Sequence, residues 1–186
     1  MSDGGTVRIL GMAGSLRRGS FNAAALRAAQ DLAPVGMAIE IFDLTPLPMY
    51  NDDVRLEGYP PPVADLRARI KAADGVLLVT PEYNYSTSGV LKNAIDWASR
   101  PPEQPFDAKP IALMGASGGA LGTARAQYHL RQIFVFLNGM VMNRPEVMIP
   151  TAQNKFDADG KLTDQQTRDF ISAHLVAFKA WVLRMR

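Results

Sequence analysis

Residues 75–97 read GVLLVTPEYNYSTSGVLKNAIDW. The first part, 75–80, is a short unbroken apolar run closed by a proline, the pattern of a strand buried on both faces of a parallel sheet. From Gly89 onward the pattern changes to that of an amphipathic helix. Between strand and helix lie Tyr83, Tyr85, Asn84, three hydroxyl residues and a glycine. A surface turn needs no such collection of flat rings and hydrogen-bonding groups. A loop laid against the edge of a planar, polar heterocycle does.

The same alternation runs outward in both directions. Residues 7–13, 38–43, 110–116 and 140–147 read as further strands bounded by Gly, Pro, Ser or Asn. Residues 22–32, 63–73, 89–99 and 119–137 read as helices. The stretch 163–185 is a fifth helix, opened by a Thr163-x-x-Gln166 capping box and carrying Ile171, Leu175, Phe178 and Val182 on one face. Strict β-α alternation implies a parallel sheet covered on both faces. The 186 residues show no repeat or interdomain linker, so one domain over 1–186 is expected, with roughly 70% of the unfolded surface buried. The longest stretch without a pattern, 44–61, is expected to be an active-site or interface loop. In such sheets ligands bind beyond the carboxyl ends of the strands, which directs attention to the loops after strands one, three and four.

Composition narrows the chemistry. There is no cysteine, which excludes disulfides, thiol nucleophiles and cysteine-ligated clusters. His129 and His174 lie too far apart for a sequence-local metal motif, and no metal is expected. The segment MSDGGTVRIL lacks a basic, then apolar, leader pattern. No apolar run approaches the ~20 residues of a membrane helix, so a cytoplasmic location without membrane contact is expected. Net charge is +2, and 14 of the 20 basic residues are arginine. They are scattered among acids rather than gathered in a stripe, which argues against a nucleic-acid partner.

The first loop, Gly14-Ser-Leu-Arg-Arg-Gly-Ser-Phe-Asn22, has P-loop spacing (Gly14-x4-Gly19, then Ser20) without the P-loop lysine. Its hydroxyls, amide, arginine and backbone N–H groups at a helix start suit a phosphate monoester; a glycine-rich turn with an Asn22 N-cap is the plainer alternative. The third loop, Gly115-Ala-Ser-Gly-Gly, matches G-x-S-x-G and raises a serine hydrolase with Ser117 as nucleophile. Its partners would be Asp157 or Asp159 and His174, but His174 falls inside the last helix. Otherwise Ser117 and its glycines admit a flat ring close to backbone. Asp157-x-Asp159-Gly160 echoes a calcium loop but carries Lys161 and Arg168 at ligand positions, so it reads as a turn. Met140, Met142 and Met148 read as core filler, and His129 as facing solvent or an interface.

Taken together, GSLRRGSFN, PEYNYSTSGVLKNAIDW and SGGALGTARAQYHLR resemble the NADPH-dependent FMN reductase family of flavodoxin-like proteins, nearest its bacterial quinone/chromate reductases. The likeness extends to Asn143-Arg-Pro-Glu146 and Gln153-Asn-Lys155, with Ser88 in place of the usual proline and Thr123 where many relatives carry glycine. The resemblance implies an α/β flavodoxin-like three-layer sandwich: a five-stranded parallel sheet of order 2-1-3-4-5 with helices on both faces. It implies FMN with NADPH or NADH as co-substrate. Ser15, Arg17, Ser20, Phe21 and Asn22 would hold phosphate and ribityl chain; Pro81, Glu82, Tyr83 and Asn84 would line the isoalloxazine, and Ser117 its other edge. It further implies homodimers or homotetramers and ping-pong reduction of quinones, with chromate, azo dyes and nitro compounds as side acceptors. No side chain is then required as nucleophile or general acid. A non-catalytic flavodoxin-like electron carrier is a rival, although carriers favour a strongly acidic surface. For assembly, Val90, Leu91, Ile95 and Trp97 together with Tyr128, Leu130, Ile133 and Phe134 are expected to supply a shared apolar face. Arg125, Tyr128, Glu146 and Tyr85 would make a polar set beside it.

Overall fold

A computed structural model describes residues 5–186; the first four residues of the MSDGGTVRIL segment lie outside the described residues. Strands β1 (Val7–Ala13), β2 (Met37–Phe42), β3 (Gly75–Val79), β4 (Pro110–Ala116) and β5 (Met140–Val141) form a parallel sheet ordered β2-β1-β3-β4-β5. The flavodoxin-like order implied by the sequence motifs is therefore present. A sixth strand, β6 (Val147–Ile149), continues the edge: β5 lies along Pro110 and Ile111, whereas β6 lies along Met114, Gly115 and Ala116. Residues 140–147 were expected as one strand and are two. Asn143-Arg144-Pro145-Glu146 bulges out between them, where Pro145 has no N–H to give to a ladder.

The apolar pattern explains the layers. Every residue of β3 and β4 is buried, because helices cover both faces. Alternate side chains point to opposite sides. Leu77, Val79, Ala112 and Met114 pack with Leu26 of α1 (Phe21–Asp31) and with Ile171, Leu175 and Phe178 of α6 (Gln165–Met185). Val76, Leu78, Ile111 and Leu113 pack on the other side, against α3 (Pro61–Ala72), α4 (Gly89–Ala98) and α5 (Ala124–Phe136) through Leu66, Ile70, Leu91, Ile95, Leu130 and Phe134. Each of these Val, Leu, Ile, Met and Phe side chains contributes about 1.5–3 kcal/mol by leaving water.

This packing corrects the apolar face expected for assembly. Leu91, Ile95, Trp97, Leu130 and Phe134 are all buried in the chain's own core. The sheet needs them because α4 and α5 cover its central strands. The large apolar residues that α5 leaves in water are instead Tyr128 (50% exposed), Val135 (82%) and Phe136 (86%).

Three element boundaries also differ from expectation. The 44–61 stretch contains a short helix, α2 (Asp52–Glu57), capped by Asn51. It is tied down at its start, where Asn93 accepts from the Tyr50 amide and Asn93 and Trp97 both donate to the Pro48 carbonyl, each at 2.8 Å. The start of α6 is capped by Asp164, which accepts from the Thr167 amide at 3.0 Å, not by Thr163. A carboxylate suits the positive helix end, and Lys155 meets the same oxygen at 2.8 Å. Helix α5 begins at Ala124 rather than 119, because Gly122 takes a left-handed conformation (φ 59°) that interrupts the turn before it.

Candidate active site

The loops after β1, β3 and β4 emerge side by side at the carboxyl end of the sheet, at the point where the chain reverses its direction of winding between β1 and β3. The first two touch. Gly14 leaves no room for a side chain: an added Cβ would meet Leu91 at 2.6 Å and the Ser88 hydroxyl at 2.7 Å. Ser88 is buried and caps α4 by accepting from the Leu91 amide at 3.2 Å. A proline there has no side-chain acceptor, so the departure from the family pattern serves the helix start.

Around the first loop, Ser20 is the N-cap of α1 and accepts from the Ala23 amide at 3.2 Å. Asn22 is not the cap. Its buried amide group spans to β4, donating to the Ala116 carbonyl and accepting from the Ala116 amide, both at 2.9 Å. Phe21 stacks on Phe156 at 5.6 Å, with the Arg17 guanidinium 5.5 Å from its ring centre. Ser15 is half-buried and Arg17 exposed. The backbone is free where the side chains are not. Among the described residues, the amides of Leu16, Arg17, Arg18, Gly19, Phe21 and Asn22 donate to no protein acceptor. Consecutive N–H groups leading into a helix N-terminus make an anion-binding concavity.

The second loop folds back on itself. Tyr83 and Ser86 exchange backbone hydrogen bonds of 3.1 and 2.9 Å, and Asn84 (φ 49°) and Tyr85 (φ 64°) both occupy the left-handed region. Two such residues in succession are the hallmark of a type I′ turn, rarely built without glycine. Pro81 is buried, while Tyr83 and Asn84 project into solvent. Glu82 does not: its carboxylate is 6% exposed and grips the start of α5, where it pairs with Arg125 at 2.5 Å. Beside the turn, Ser86, Thr87, Lys92 and His129 line a groove of about 500 Å³, across which Ser86 and His129 are hydrogen bonded at 2.9 Å. A second recess of about 320 Å³ flanks the first loop at Ser15, Arg17 and Asp43.

The third loop places Ser117 half-exposed, its hydroxyl accepting from the Gly119 amide at 3.1 Å. A nucleophile elbow would put this serine on a strained turn leading straight into a helix. Ser117 is not among the residues of positive φ, and α5 waits until Ala124. His174 is 1% exposed, with Nδ1 2.7 Å from the Pro145 carbonyl. Burial pushes its pKa down to about 4, with the nearby Arg131 charge adding to the shift. A neutral histidine sealed in the core has no access to Ser117 chemistry. Thr123, the other departure from the family pattern, is buried and accepts from Gln127 at 3.0 Å. It fits because Gly115 opposite has no side chain, where a Cβ would lie 2.3 Å from the Thr123 hydroxyl.

The expected residues thus gather at one end of the sheet, with their work redistributed. Ser15, Arg17, Tyr83, Asn84 and Ser117 keep groups directed outward. Asn22 and Glu82 spend their side chains on the protein. A phosphate monoester fits the free amides after β1, and a flat heterocycle fits the rim formed by Tyr83, Asn84 and the glycines after Ser117. Arg125 was singled out from sequence only as an interface residue; an arginine two residues into a helix announces nothing about a distant loop.

Comparison with known proteins identifies a family. The model of the family described as NADPH-dependent FMN reductase matches residues 7–154. An NAD(P)H-dependent FMN reductase of Pseudomonas aeruginosa is 58% identical over 186 residues, all of both chains. A quinone reductase of Escherichia coli K12 is 46% identical across 97% of each chain. Among solved structures, the flavoenzyme NAD(P)H:(acceptor) oxidoreductase FerB of Paracoccus denitrificans superposes with a TM-score of 0.88 at 36% identity, covering 97% of this chain and 99% of that one.

Proposed function

We propose that this chain, which belongs to the NADPH-dependent FMN reductase family, holds FMN at the three loops and uses NAD(P)H to reduce quinones. The observation that carries the reading is the set of free amides at Leu16, Arg17, Arg18, Gly19, Phe21 and Asn22 beside an outward-facing rim. When bound, FMN supplies the two-electron chemistry between NAD(P)H and an acceptor. The protein's own part is to bind and orient. Backbone N–H groups after β1, with Ser15 and Arg17, would anchor the phosphate; Ser20 contributes by fixing the helix start. Pro81, Tyr83 and Asn84 would set the edge of the ring, with Glu82 behind them, and Ser117 and Gly118 the opposite edge. Phe21 and Asn22 support this cradle from below rather than through their side-chain tips. Nothing in this arrangement calls for a nucleophile or a resident general acid.

Finer assignments extend the same reading. Double-reciprocal plots for NAD(P)H and quinone should be parallel, as ping-pong turnover requires. Chromate, azo dyes and nitro compounds belong to the acceptors such an open site would take as side reactions. The functional unit is a homodimer or homotetramer in the cytoplasm, assembled through Tyr128, Val135 and Phe136, whose apolar groups face solvent in the single chain.

The test is direct. Purified protein should be yellow, release FMN on heating, and oxidise NAD(P)H only when a quinone or another acceptor is present. Ser117→Ala should keep most of that turnover, whereas a serine nucleophile would lose ~10⁴-fold or more. Colourless protein whose esterase activity vanishes with Ser117 would replace this reading by a hydrolase.

A further inference from the structure

Helix α5 begins with an unusual debt. Its N-cap residue, Thr123, makes no side-chain cap bond, and the first amides of a helix have no partner within it. The acceptor comes from another element. Glu82, on the loop after β3, accepts from the Arg125 amide at 3.0 Å and from the Ala126 amide at 3.3 Å through one carboxylate oxygen. Its other oxygen receives the Arg125 side chain at 2.5 Å. Arg125 in turn lies over Tyr85, its guanidinium carbon 3.6 Å from the ring centre. The chain of contacts therefore closes on the turn itself: Glu82 to Arg125, Arg125 to Tyr85.

That turn takes a conformation its local sequence opposes. Asn84 and Tyr85 both sit at positive φ, and neither is glycine. A strained turn persists only when its surroundings over-determine it. Two backbone bonds between Tyr83 and Ser86 close it, and the Glu82–Arg125–Tyr85 contacts fasten it to α5. The exposed ring of Tyr85 gains from a cation over its face, and the nearly sealed carboxylate of Glu82 gains from charge-assisted bonds.

We infer that Glu82 is a positioning residue of the site, acting through Arg125 and Tyr85: its carboxylate holds the strained 83–86 turn against α5 in the shape that receives the heterocycle. This rests on the FMN reading above, but it assigns the Glu82 carboxylate to the protein rather than to the cofactor. Tyr83 and Asn84 then meet the ligand with little reorganisation left to do, which is how a supporting residue raises affinity without touching the ligand.

The experiment compares full-length wild type with Glu82→Gln by hydrogen exchange of the flavin-free protein and by FMN titration. Glutamine keeps the shape and one acceptor while losing the charge. Faster exchange confined to 83–86 and 124–126 is expected, with FMN affinity weakened roughly 10- to 100-fold, the range lost with a charged hydrogen bond. Tyr85→Leu, at an exposed position, carries the same test if Glu82→Gln fails to fold; it should speed exchange at the turn and weaken FMN in the same direction. Unchanged FMN affinity in the folded variant overturns the inference. So does weakened binding with faster exchange throughout the sheet, which would mark Glu82 as a general stabiliser. If wild type takes up no FMN, the proposed function fails, and local exchange at 83–86 alone decides whether the clamp exists.

Discussion

Lowering pH should destabilise the protein through one residue, His174. Its ring is buried between α6 and the bulge at Pro145, with Nδ1 committed to the Pro145 carbonyl. Burial, with the Arg131 charge nearby, holds its pKa at about 4 against an ordinary 6.5, although the bond to Pro145 opposes the shift. The sign follows from linkage. Between these two values the unfolded chain takes up a proton that the folded chain refuses, so stability falls as pH falls below 6.5 and levels off below about 4. Each unit inside that window removes about 1.4 kcal/mol, so acidifying from pH 7 to 5 should cost about 2 kcal/mol. Against the 5–15 kcal/mol typical of a domain, a loss of about that size is readily measured. Asp52 and Asp164, held at about 2 by Arg55 and Lys155, act only at lower pH. The assay is urea unfolding at pH 7, 6 and 5 for wild type and His174→Asn. Asparagine keeps an N–H for the Pro145 carbonyl and does not titrate, so its stability should be nearly flat across this range. A variant as pH-sensitive as wild type would refute the assignment.

Two further outcomes follow from the contacts. Asn22→Leu leaves the Ala116 amide and carbonyl unpaired in the interior, at about 1–3 kcal/mol for each group, which chemical denaturation should register before any flavin measurement is made. Phe136→Asp, at a position 86% exposed, should leave the fold and its melting unchanged but reduce assembly size in light scattering; an unaltered assembly would move the interface elsewhere.

The sheet was legible because its signals are local and repeated. An unbroken apolar run such as GVLLV has one comfortable place, between two helical layers. Turn chemistry then marks the boundaries closely: β1 and β4 begin and end where the pattern places them. What failed were features decided by competition between neighbours. Thr163 and Asp164 both qualify as caps, and the acid is favoured by its charge at the helix end and by Lys155 beside it. Pro145 splits the last strand because both halves can pair with the same β4. Leu91 and Trp97 looked surplus to a sheet face, because sequence does not display how much surface the central strands present.

The site shows the same limit in a sharper form. Loop residues rich in hydrogen-bonding groups point to a ligand, and they do converge at one end of the sheet. Yet the buried polar groups among them first satisfy the protein. Asn22 closes the gap between α1 and β4, Ser20 caps α1 and Glu82 caps α5 from a distance. An unpaired buried polar group costs more than a solvated one gains, so the buried side chains are used internally, and much of what faces outward after β1 is backbone. Backbone amides have no letter in a sequence. They can be inferred only from what surrounds them: a glycine that cannot bear a Cβ at position 14, a helix cap at Ser20, and arginines at 17 and 18 whose amides face no carbonyl. Side-chain substitutions at Asn22 and Glu82 should therefore act on FMN affinity through stability and loop shape. The contacts that set phosphate affinity most directly will resist alanine scanning, because replacing a side chain leaves its N–H in place.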